Sequence, residues 1–312
     1  MQRVLITGGN GFLGSNLVRT LLKNGSKICV VSRSYSNLMD IKDSIQFLQH
    51  TDLGYNEHAD AILTFSPDTV IHCAWDGGNS YKDVDSPNQV YRNIPSGLDF
   101  LQIVSRLSIK PVFVGLGSFA EYGIFSRLVS EDTYEFPTTL YGGAKLSFKN
   151  ISKLVCDQHA MRWVWIRPLY IYGKGDVTTR LIPSLVRKFS FGQPVVLDSC
   201  NTTIDYLHID DFCSGVLSIL RKNSNGIFNL CSGESYQLKD IVERLHKICM
   251  SSSSITFDSS LDRTKLNKDL STERVGDNFK LRSLGWTPTI TLDQGLQSLV
   301  EHTDLGGLHS EL

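Results

Sequence analysis

Two side chains four residues apart, Tyr141 and Lys145, have the types and spacing needed for proton transfer. In a helix, positions i and i+4 lie on one face, so this spacing places the phenol beside the ammonium group. A nearby ammonium favours the phenolate and is expected to lower the pKa of Tyr141 from about 10. Such a tyrosine can pass a proton to or from a substrate oxygen during hydride transfer. On its own the spacing is typical of solvated helix faces, so its meaning depends on what precedes it.

A glycine turn near the N-terminus follows an apolar strand and opens an apolar-periodic helix. Its residues 7–14 read TGGNGFLG, and that order of elements is the requirement for binding a dinucleotide pyrophosphate. Gly8 would let the chain turn sharply, Gly11 would let the backbone approach phosphate, and Gly14 would let the helix pack close to the sheet. The helix N-terminus, with Phe12 and Leu13 in its first turn, would point free N–H groups at the anion. After such a start, the tyrosine and lysine pair indicates catalysis.

Alternating elements in the first half of the chain must position these residues. Apolar runs predict strands at 4–7, 27–32, 45–49, 70–73, 111–116 and 163–167. Helical patterns between them predict helices at 12–24, 57–65, 89–107 and 141–159. The alternation predicts an α/β fold of Rossmann type, with a doubly wound parallel sheet and helices on both faces.

The regular alternation of predicted strands and helices changes after residue 173. Helices are predicted at 181–189, 211–220, 238–250 and 292–302, a strand at 204–209 and a polar linker at 251–254. We therefore expect a dinucleotide-binding domain over 1–173 and a smaller, mainly substrate-binding C-terminal lobe over 174–312. The chain at about 204–232 is expected to return to the first domain. A cleft between two such lobes is a common place for a ligand.

The bulk composition excludes several classes of function. The 312 residues are 41% hydrophobic and 20% charged, as in soluble globular proteins. A net charge of -1 gives no electrostatic reason to expect nucleic acid or an anionic membrane as partner. No apolar run approaches the ~20 residues that span a bilayer, and the N-terminus is a predicted core strand rather than a signal peptide. Seven cysteines without a CxxC pair predict reduced thiols in a cytoplasm, with no disulfide framework and no metal site.

Six further motifs follow the glycine turn in order. They are HxA at 72–74, an NxxG-like segment at 93–98, a Ser loop ending in Tyr-Gly at 117–123, RPxxxYGxGD at 167–176, a strand-to-helix motif at 206–211 and LGWxP at 284–288. With these motifs the chain resembles, over nearly its whole length, the extended short-chain dehydrogenase/reductases, the NAD-dependent epimerase/dehydratase group that acts on nucleotide sugars. The resemblance implies a catalytic triad of Ser118, Tyr141 and Lys145. In that triad Tyr141 is the general acid/base at the sugar oxygen, Ser118 hydrogen-bonds that oxygen, and Lys145 holds the nicotinamide ribose.

The resemblance also implies contacts to the cofactor and the substrate. Besides the glycine turn, Tyr141 and Lys145, the implied cofactor contacts are Ser32, Arg33, Asp52, Leu53, Cys73, Ala74, Asn93 and Pro168. The implied substrate contacts are Trp75, Ser118, Tyr141, Tyr170 and Arg180. A nucleoside-diphosphate sugar is the expected substrate.

The end of the second predicted strand bears on the choice of cofactor. An acidic residue there would bind the adenosine 2′-hydroxyl and select NAD. This chain has Ser32 and Arg33 instead, and an arginine can pair with a 2′-phosphate, which favours NADP(H) over NAD(H). Reductases draw on NADPH, whereas epimerases recycle bound NAD. We therefore favour a 4-ketoreductase of a nucleoside-diphosphate 6-deoxysugar, like those that make CDP-abequose or dTDP-fucose for surface polysaccharides.

Other functions of the same family stay open. Phe119 and Ala120 stand where the 4,6-dehydratases have an Asp-Glu pair, which argues against dehydration. Tyr170 and Ile204 replace an asparagine and an arginine that typically touch the diphosphate, and candidates to replace them are Lys174, Arg180, Lys265 and Lys268. The alternatives are a 4-epimerase with tightly bound NAD and a non-catalytic dinucleotide sensor. The resemblance further implies a homodimer formed by the helices at 89–107 and 141–159.

Overall fold

The computed structural model describes residues 2–50, 54–77, 83–124, 128–262 and 273–302. Its strands, in chain order, are β1 (Arg3–Thr7), β2 (Lys27–Ser32), β3 (Gln46–Gln49), β4 (Thr69–His72), β5 (Val112–Leu116), β6 (Arg162–Pro168), β7 (Ile171–Tyr172), β8 (Val195–Leu197), β9 (Thr203–Ile204), β10 (Leu207–His208), β11 (Gly226–Leu230), β12 (Tyr236–Gln237), β13 (Ile255–Phe257) and β14 (Glu273–Arg274). Its helices are α1 (Phe12–Lys23), α2 (Ala59–Phe65), α3 (Asn88–Tyr91), α4 (Asn93–Ser105), α5 (Leu140–Gln158), α6 (Leu181–Ser190), α7 (Ile209–Arg221), α8 (Leu238–Ile248), α9 (Phe279–Arg282) and α10 (Leu292–Glu301). Within these described ranges, no helix combines the length and the apolar character needed to cross a membrane.

Seven parallel strands form the main sheet, in the order β11-β6-β5-β4-β1-β2-β3. The direction of strand addition reverses between β1 and β4, and ligands bind in such sheets at the carboxyl ends of the strands beside this reversal. Thr7 lies opposite both Val31 and His72 in the ladder. The glycine turn, the end of β2 and the loop after β4 therefore leave the sheet side by side. This sheet confirms the predicted Rossmann-type fold class.

Apolar side chains cover both faces of the main sheet. The adjacent residues Leu5 and Ile6 are fully buried and belong to different clusters. Ile6 belongs to a cluster that includes Phe212 of α7, whereas Leu5 belongs to one that includes Phe148 of α5. Successive side chains of a strand point to opposite faces, so a strand buried on both faces is apolar throughout. The first predicted strand shows this pattern.

A smaller C-terminal lobe has its own core. Helices α6, α8 and α10 surround an apolar cluster that includes Phe189, Leu245 and Leu296. Short strands complete the lobe: β8 pairs with β13, and β9 pairs with β12 and β14. Strand β11 lies in the main sheet instead, where Gly226 pairs with Val164 of β6.

The single strand predicted at 204–209 is wrong. Residues Thr203–Ile204 and Leu207–His208 form two strands in different sheets. The buried Asp205 between them accepts hydrogen bonds from the amides of Ser232 and Gly233 at 2.8 and 3.0 Å. These hydrogen bonds hold Asp205 between two short strands instead of within one. The periodicity of the sequence does not indicate them, because Ser232 and Gly233 are distant in the chain.

The single helix predicted at 89–107 is also wrong, because α3 ends at Tyr91 and α4 begins at Asn93. Pro95 has no N–H to donate to the carbonyl of Tyr91, so a continuous helical ladder cannot form there. The side chain of Gln89 donates to the carbonyls of Gly77 and Asp83 at 2.9 Å, which ties α3 to the loop after β4.

Candidate active site

A cleft of about 710 Å³ is lined by residues from both the main sheet and the smaller lobe. Most residues that the sequence singles out line it, namely Gly8, Gly11, Phe12, Leu13, Gly14, Cys73, Trp75, Ser118, Tyr141, Lys145, Pro168, Tyr170 and Arg180. Five described candidates lie outside its lining, namely Ser32, Arg33, Ala74, Asn93 and Lys174. The predicted adenine contacts Asp52 and Leu53, and the candidate cations Lys265 and Lys268, lie outside the described residues.

The glycine turn packs too closely for side chains. Gly8 has a φ of +65°, and a Cβ there would lie 2.7 Å from the Cα of Ala74. A Cβ on Gly14 would lie 2.3 Å from the carbonyl oxygen of Gly8. Gly11 caps α1 without a side-chain hydrogen bond, which leaves the first-turn N–H groups available to an anion. This cradle fits the pyrophosphate of a nicotinamide dinucleotide.

The HxA motif joins the ends of β1 and β4 beneath this cradle. His72 Nδ1 lies 2.8 Å from the hydroxyl of Thr7, which also accepts a hydrogen bond from the amide of Ala74 at 3.3 Å. Burial lowers the pKa of His72 to about 3, so the ring is neutral at pH 7. The motif therefore fixes the backbone on which the cradle is built.

Asn93 and Arg33 both contact the loop after β4. Asn93 is buried, and its amide accepts from the N–H of Asp76 at 2.8 Å and donates to the carbonyl of Asp76 at 2.9 Å. The Asp76 carboxylate lies 3.6 Å from Arg33 and 3.7 Å from Arg92. Two guanidinium groups therefore converge on the Asp76 carboxylate, outside the lining of the cleft.

The predicted catalytic serine and tyrosine come together in the cleft. Ser118 caps the short 3-10 helix Phe119–Glu121, and Thr139 caps α5 by accepting from the amide of Gly142 at 3.1 Å. The amide of Tyr141 donates to the carbonyl of Val84 at 2.7 Å. These caps fix two helix starts at the cleft, which Ser118 and Tyr141 both line.

Lys145 points toward the sheet rather than toward the phenol. Its Nζ donates to the carbonyl of Leu116 at 2.7 Å and lies 3.8 Å from the centre of the Trp75 ring. The Tyr141 ring centre is farther away, at 5.9 Å. Burial lowers the pKa of Lys145 to about 7, so the buried group is partly neutral near pH 7.

The predicted lowering of the Tyr141 pKa is wrong for this arrangement. Burial raises the pKa of Tyr141 and outweighs the lowering effect of Ser118, while the charge of Glu121 raises the pKa further. The reason is geometric, because Lys145 directs its ammonium at Leu116. A protonated phenol beside a serine hydroxyl can donate a proton to one substrate oxygen while the serine hydrogen-bonds it. A bound nicotinamide would supply or accept the hydride.

The lobe side of the cleft carries two arginines and a group of tyrosines. Arg274 donates a hydrogen bond to the hydroxyl of Tyr170, whose ring centre lies 5.6 Å from that of Tyr206. Arg180 lies 3.3 Å from the carboxylate of Asp176, and burial raises the pKa of Asp176 to about 6. The arrangement offers cations for an anionic ligand and aromatic faces for a ring.

The sequence analysis missed Arg274. It stands in a two-residue strand, β14, and pairs in register with Ile204 of β9. The structure therefore places an arginine next to the position where the family arginine is replaced by isoleucine. No local signal marks Arg274, because only the pairing of strands about 70 residues apart brings it to the cleft.

Comparison with known proteins agrees with this geometry. The model of the NAD dependent epimerase/dehydratase family matches residues 4–231. A CDP-abequose synthase of Salmonella muenchen is 24% identical over 309 residues, which cover 96% of this chain and 97% of that protein. A dTDP-4-dehydro-6-deoxyglucose reductase of Escherichia coli is 26% identical, over 96% of this chain and 96% of that protein. A UDP-glucose 4-epimerase of Halalkalibacterium halodurans is 25% identical, over 96% of this chain and 93% of its own.

A solved structure shows the same fold. The UDP-glucose 4-epimerase of Thermotoga maritima, crystallised with UDP-glucose, superposes with a TM-score of 0.85 at 21% identity. The superposition covers 96% of this chain and 97% of that one. The family match spans more than half of the chain and contains the glycine cradle, Ser118, Tyr141 and Lys145. The chain therefore belongs to the NAD dependent epimerase/dehydratase family and is an NAD(P)-dependent oxidoreductase of the extended short-chain dehydrogenase/reductase type.

Proposed function

We propose that this protein reduces the 4-keto group of a nucleoside-diphosphate 6-deoxysugar with NADPH, in the biosynthesis of sugars for surface polysaccharides. The presence of Ser118, Tyr141 and Lys145 in one cleft with the glycine cradle carries the proposal. Tyr141 donates the proton to the C4 oxygen, and Ser118 hydrogen-bonds that oxygen. Lys145, which lines the same cleft, holds the nicotinamide ribose in this proposal.

The two cleft arginines support a diphosphate substrate. Arg180 and Arg274 line the cleft on the lobe side, and charge-assisted hydrogen bonds from guanidinium groups suit phosphate oxygens. Arg274 takes over the diphosphate contact that Ile204 cannot make, while Tyr170 and Tyr206 form an aromatic wall next to it. Relatives named as a CDP-abequose synthase and a dTDP-4-dehydro-6-deoxyglucose reductase agree with such a substrate.

NADPH consumption tests the reaction. We expect the purified protein to oxidise NADPH with at least one of four 4-keto-6-deoxy sugar substrates, linked to CDP, dTDP, GDP or UDP. Ser118→Ala serves as the matched loss-of-function variant. Stoichiometric, tightly held NAD in the purified protein, together with no NADPH oxidation on any of the four, would contradict the reductase.

Cofactor preference depends on Arg33, which is 61% exposed and lies 3.6 Å from Asp76. A 2′-phosphate can take the place of Asp76 as the partner of Arg33, whereas a 2′-hydroxyl cannot. Arg33→Ala is expected to raise KM for NADPH about tenfold and to leave KM for NADH unchanged. Arg106→Ala, at the exposed end of α4, is the control. Equal effects of Arg33→Ala on both cofactors would contradict the NADP preference.

The second candidate is a 4-epimerase with tightly bound NAD. The similarity to UDP-glucose 4-epimerases favours it, and the same Tyr141 would serve both directions of hydride transfer. Identification of the dinucleotide released from purified protein separates the two functions. A non-catalytic dinucleotide sensor is supported only if Tyr141→Phe leaves every measurable activity unchanged.

A homodimer through α3–α4 and α5 is part of the proposed function. Apolar side chains are exposed on these helices, with Tyr91 at 78% and Leu154 at 69%. A second copy of the chain would cover them with the same patch, as in two-fold symmetric dimers. We expect sedimentation at micromolar concentration to show a dimer and Leu154→Glu to show a monomer. A monomeric wild type would refute this assembly.

A further inference from the structure

A buried carboxylate lies directly beneath the Ser118 loop. Glu121 is fully buried, and its Oε1 accepts a hydrogen bond from the amide of Ser118 at 2.8 Å. The indole Nε1 of Trp165 lies 3.1 Å from both carboxylate oxygens, and the Nε of Arg167 lies 2.7 Å from Oε2. Both oxygens are therefore held by groups from β6, and Oε1 also holds the loop.

The backbone of this loop packs closely against the carboxylate. A Cβ on Gly117 would lie 2.3 Å from Glu121 Oε1 and 2.2 Å from Trp165 Nε1. The amide of Gly117 also donates to the carbonyl of Ile166 on β6 at 2.7 Å. The backbone that carries Ser118 therefore rests on the Glu121 carboxylate, and the direction of the hydroxyl depends on it.

Arg167 is the counter-ion of Glu121. Its side chain is fully buried, stacks 4.2 Å from the Tyr122 ring centre, and pairs with Glu135, which also binds Lys149. Desolvation often makes a buried ion pair no more stabilising than apolar residues of the same volume. Apolar residues of the same volume can fill this space, but Glu121 also completes a capping box with Ser118 and so holds the backbone of that loop.

Several charged or titratable groups face this site. Burial raises the pKa of Glu121, and the adjacent guanidinium opposes that rise. The charge of Glu121 raises the pKa of Tyr141 and that of Lys145. Arg180 acts on Tyr141 in the opposite direction, and Cys73 acts on Lys145 in the same direction as Glu121.

We propose that Glu121 is a positioning residue for the reaction, because it fixes the Ser118 backbone at the cleft that Tyr141 also lines. Its negative charge also favours the protonated phenol, which is the form that donates a proton to a keto oxygen. This inference rests on the proposed function, in which Tyr141 donates a proton to the substrate oxygen and Ser118 hydrogen-bonds that oxygen.

The test uses Glu121→Gln, which keeps the shape and removes the charge. In protein labelled with 13C at tyrosine Cζ, with the Tyr141 signal assigned from Tyr141→Phe, we expect the pKa of Tyr141 to fall by about half a pH unit or more. The pH profile of kcat is expected to move in the same direction, and kcat is expected to fall by no more than about tenfold. Glu135→Gln is the matched control, because Glu135 also pairs with Arg167 but does not contact Ser118. We expect its pH profile to stay at the wild-type position.

A second variant separates the effect of geometry from the effect of charge. It also serves as the test if Glu121→Gln does not fold. Glu121→Asp keeps the charge opposite Arg167 but is too short to reach the Ser118 amide. We expect its pH profile to stay in place while kcat falls toward that of Ser118→Ala, and we expect no further loss in the Ser118→Ala background. Unchanged kcat in Glu121→Asp, or an unmoved Tyr141 pKa in Glu121→Gln, would overturn the proposal. The pKa of Tyr141 is measured without substrate. This result therefore does not depend on whether the proposed reduction is observed.

Discussion

Gly14→Ala tests whether the close approach of α1 to the end of β1 creates the dinucleotide cradle. The added Cβ would lie 2.3 Å from the carbonyl oxygen of Gly8 and 2.8 Å from the Cα of Gly9. Both are backbone atoms, so α1 must move away from the turn. Overpacking of this kind costs about 1–3 kcal/mol of the free energy of unfolding. The same movement withdraws the first-turn N–H groups from the anion.

Gly143→Ala provides the matched control. Gly143 also lies in the first turns of a helix, and a Cβ there would meet nothing within 4 Å. Alanine is favoured over glycine in a helix by about 0.8–1 kcal/mol, and this gain is common to both variants. The difference between the two free energies of unfolding therefore isolates the steric cost at Gly14, which we expect to be about 1–3 kcal/mol.

Denaturant unfolding and titration of tryptophan fluorescence with NADPH or NAD measure both effects. We expect Gly14→Ala to bind the dinucleotide at least about tenfold more weakly, because the helix N-terminus no longer meets the phosphates. Gly143→Ala is expected to bind as the wild type does. Equal stability of the two variants with unchanged nucleotide affinity in Gly14→Ala would refute the reasoning that close packing builds the cradle.

Three further predictions concern the cleft. Tyr141→Phe removes the proton donor and is expected to lower kcat about 10²–10⁴-fold, with nucleotide affinity nearly unchanged in calorimetry. Arg274→Ala is expected to raise KM for the sugar nucleotide about tenfold without changing KM for NADPH, whereas Arg282→Ala, exposed on α9, changes neither. Burial lowers the pKa of Lys145 from 10.5 to about 7, so between those values the unfolded chain binds more protons there than the folded chain. The contribution of Lys145 to stability therefore rises with pH across that window, and Lys145→Met is expected to remove the rise in thermal midpoint.

Different outcomes would contradict each of these predictions. Full turnover in Tyr141→Phe would mean that another group donates the proton. Parallel increases in both KM values in Arg274→Ala would mean that the arginine supports the fold rather than the substrate. A rise of the thermal midpoint that persists in Lys145→Met would assign that pH dependence to other residues.

The sequence by itself determined the parts of the protein that depend on near neighbours in the chain. The glycine turn at 8–14 is encoded within one strand-to-helix connection, and the alternation of apolar runs predicted the parallel sheet that the structure confirms. The four-residue spacing placed Tyr141 and Lys145 in one helix, α5. These features follow from backbone sterics and from helix and strand periods, which act over a few residues.

Only the tertiary structure decided what surrounds those residues. It paired Arg274 with Ile204, placed Glu121 on Arg167 beneath Ser118, and divided the strand predicted at 204–209. It also reversed the expected pKa shift of Tyr141, since burial raises that pKa and Lys145 directs its ammonium at Leu116. The physical reason is that burial and partners distant in sequence set ionisation and hydrogen bonding, and both exist only once the chain has packed.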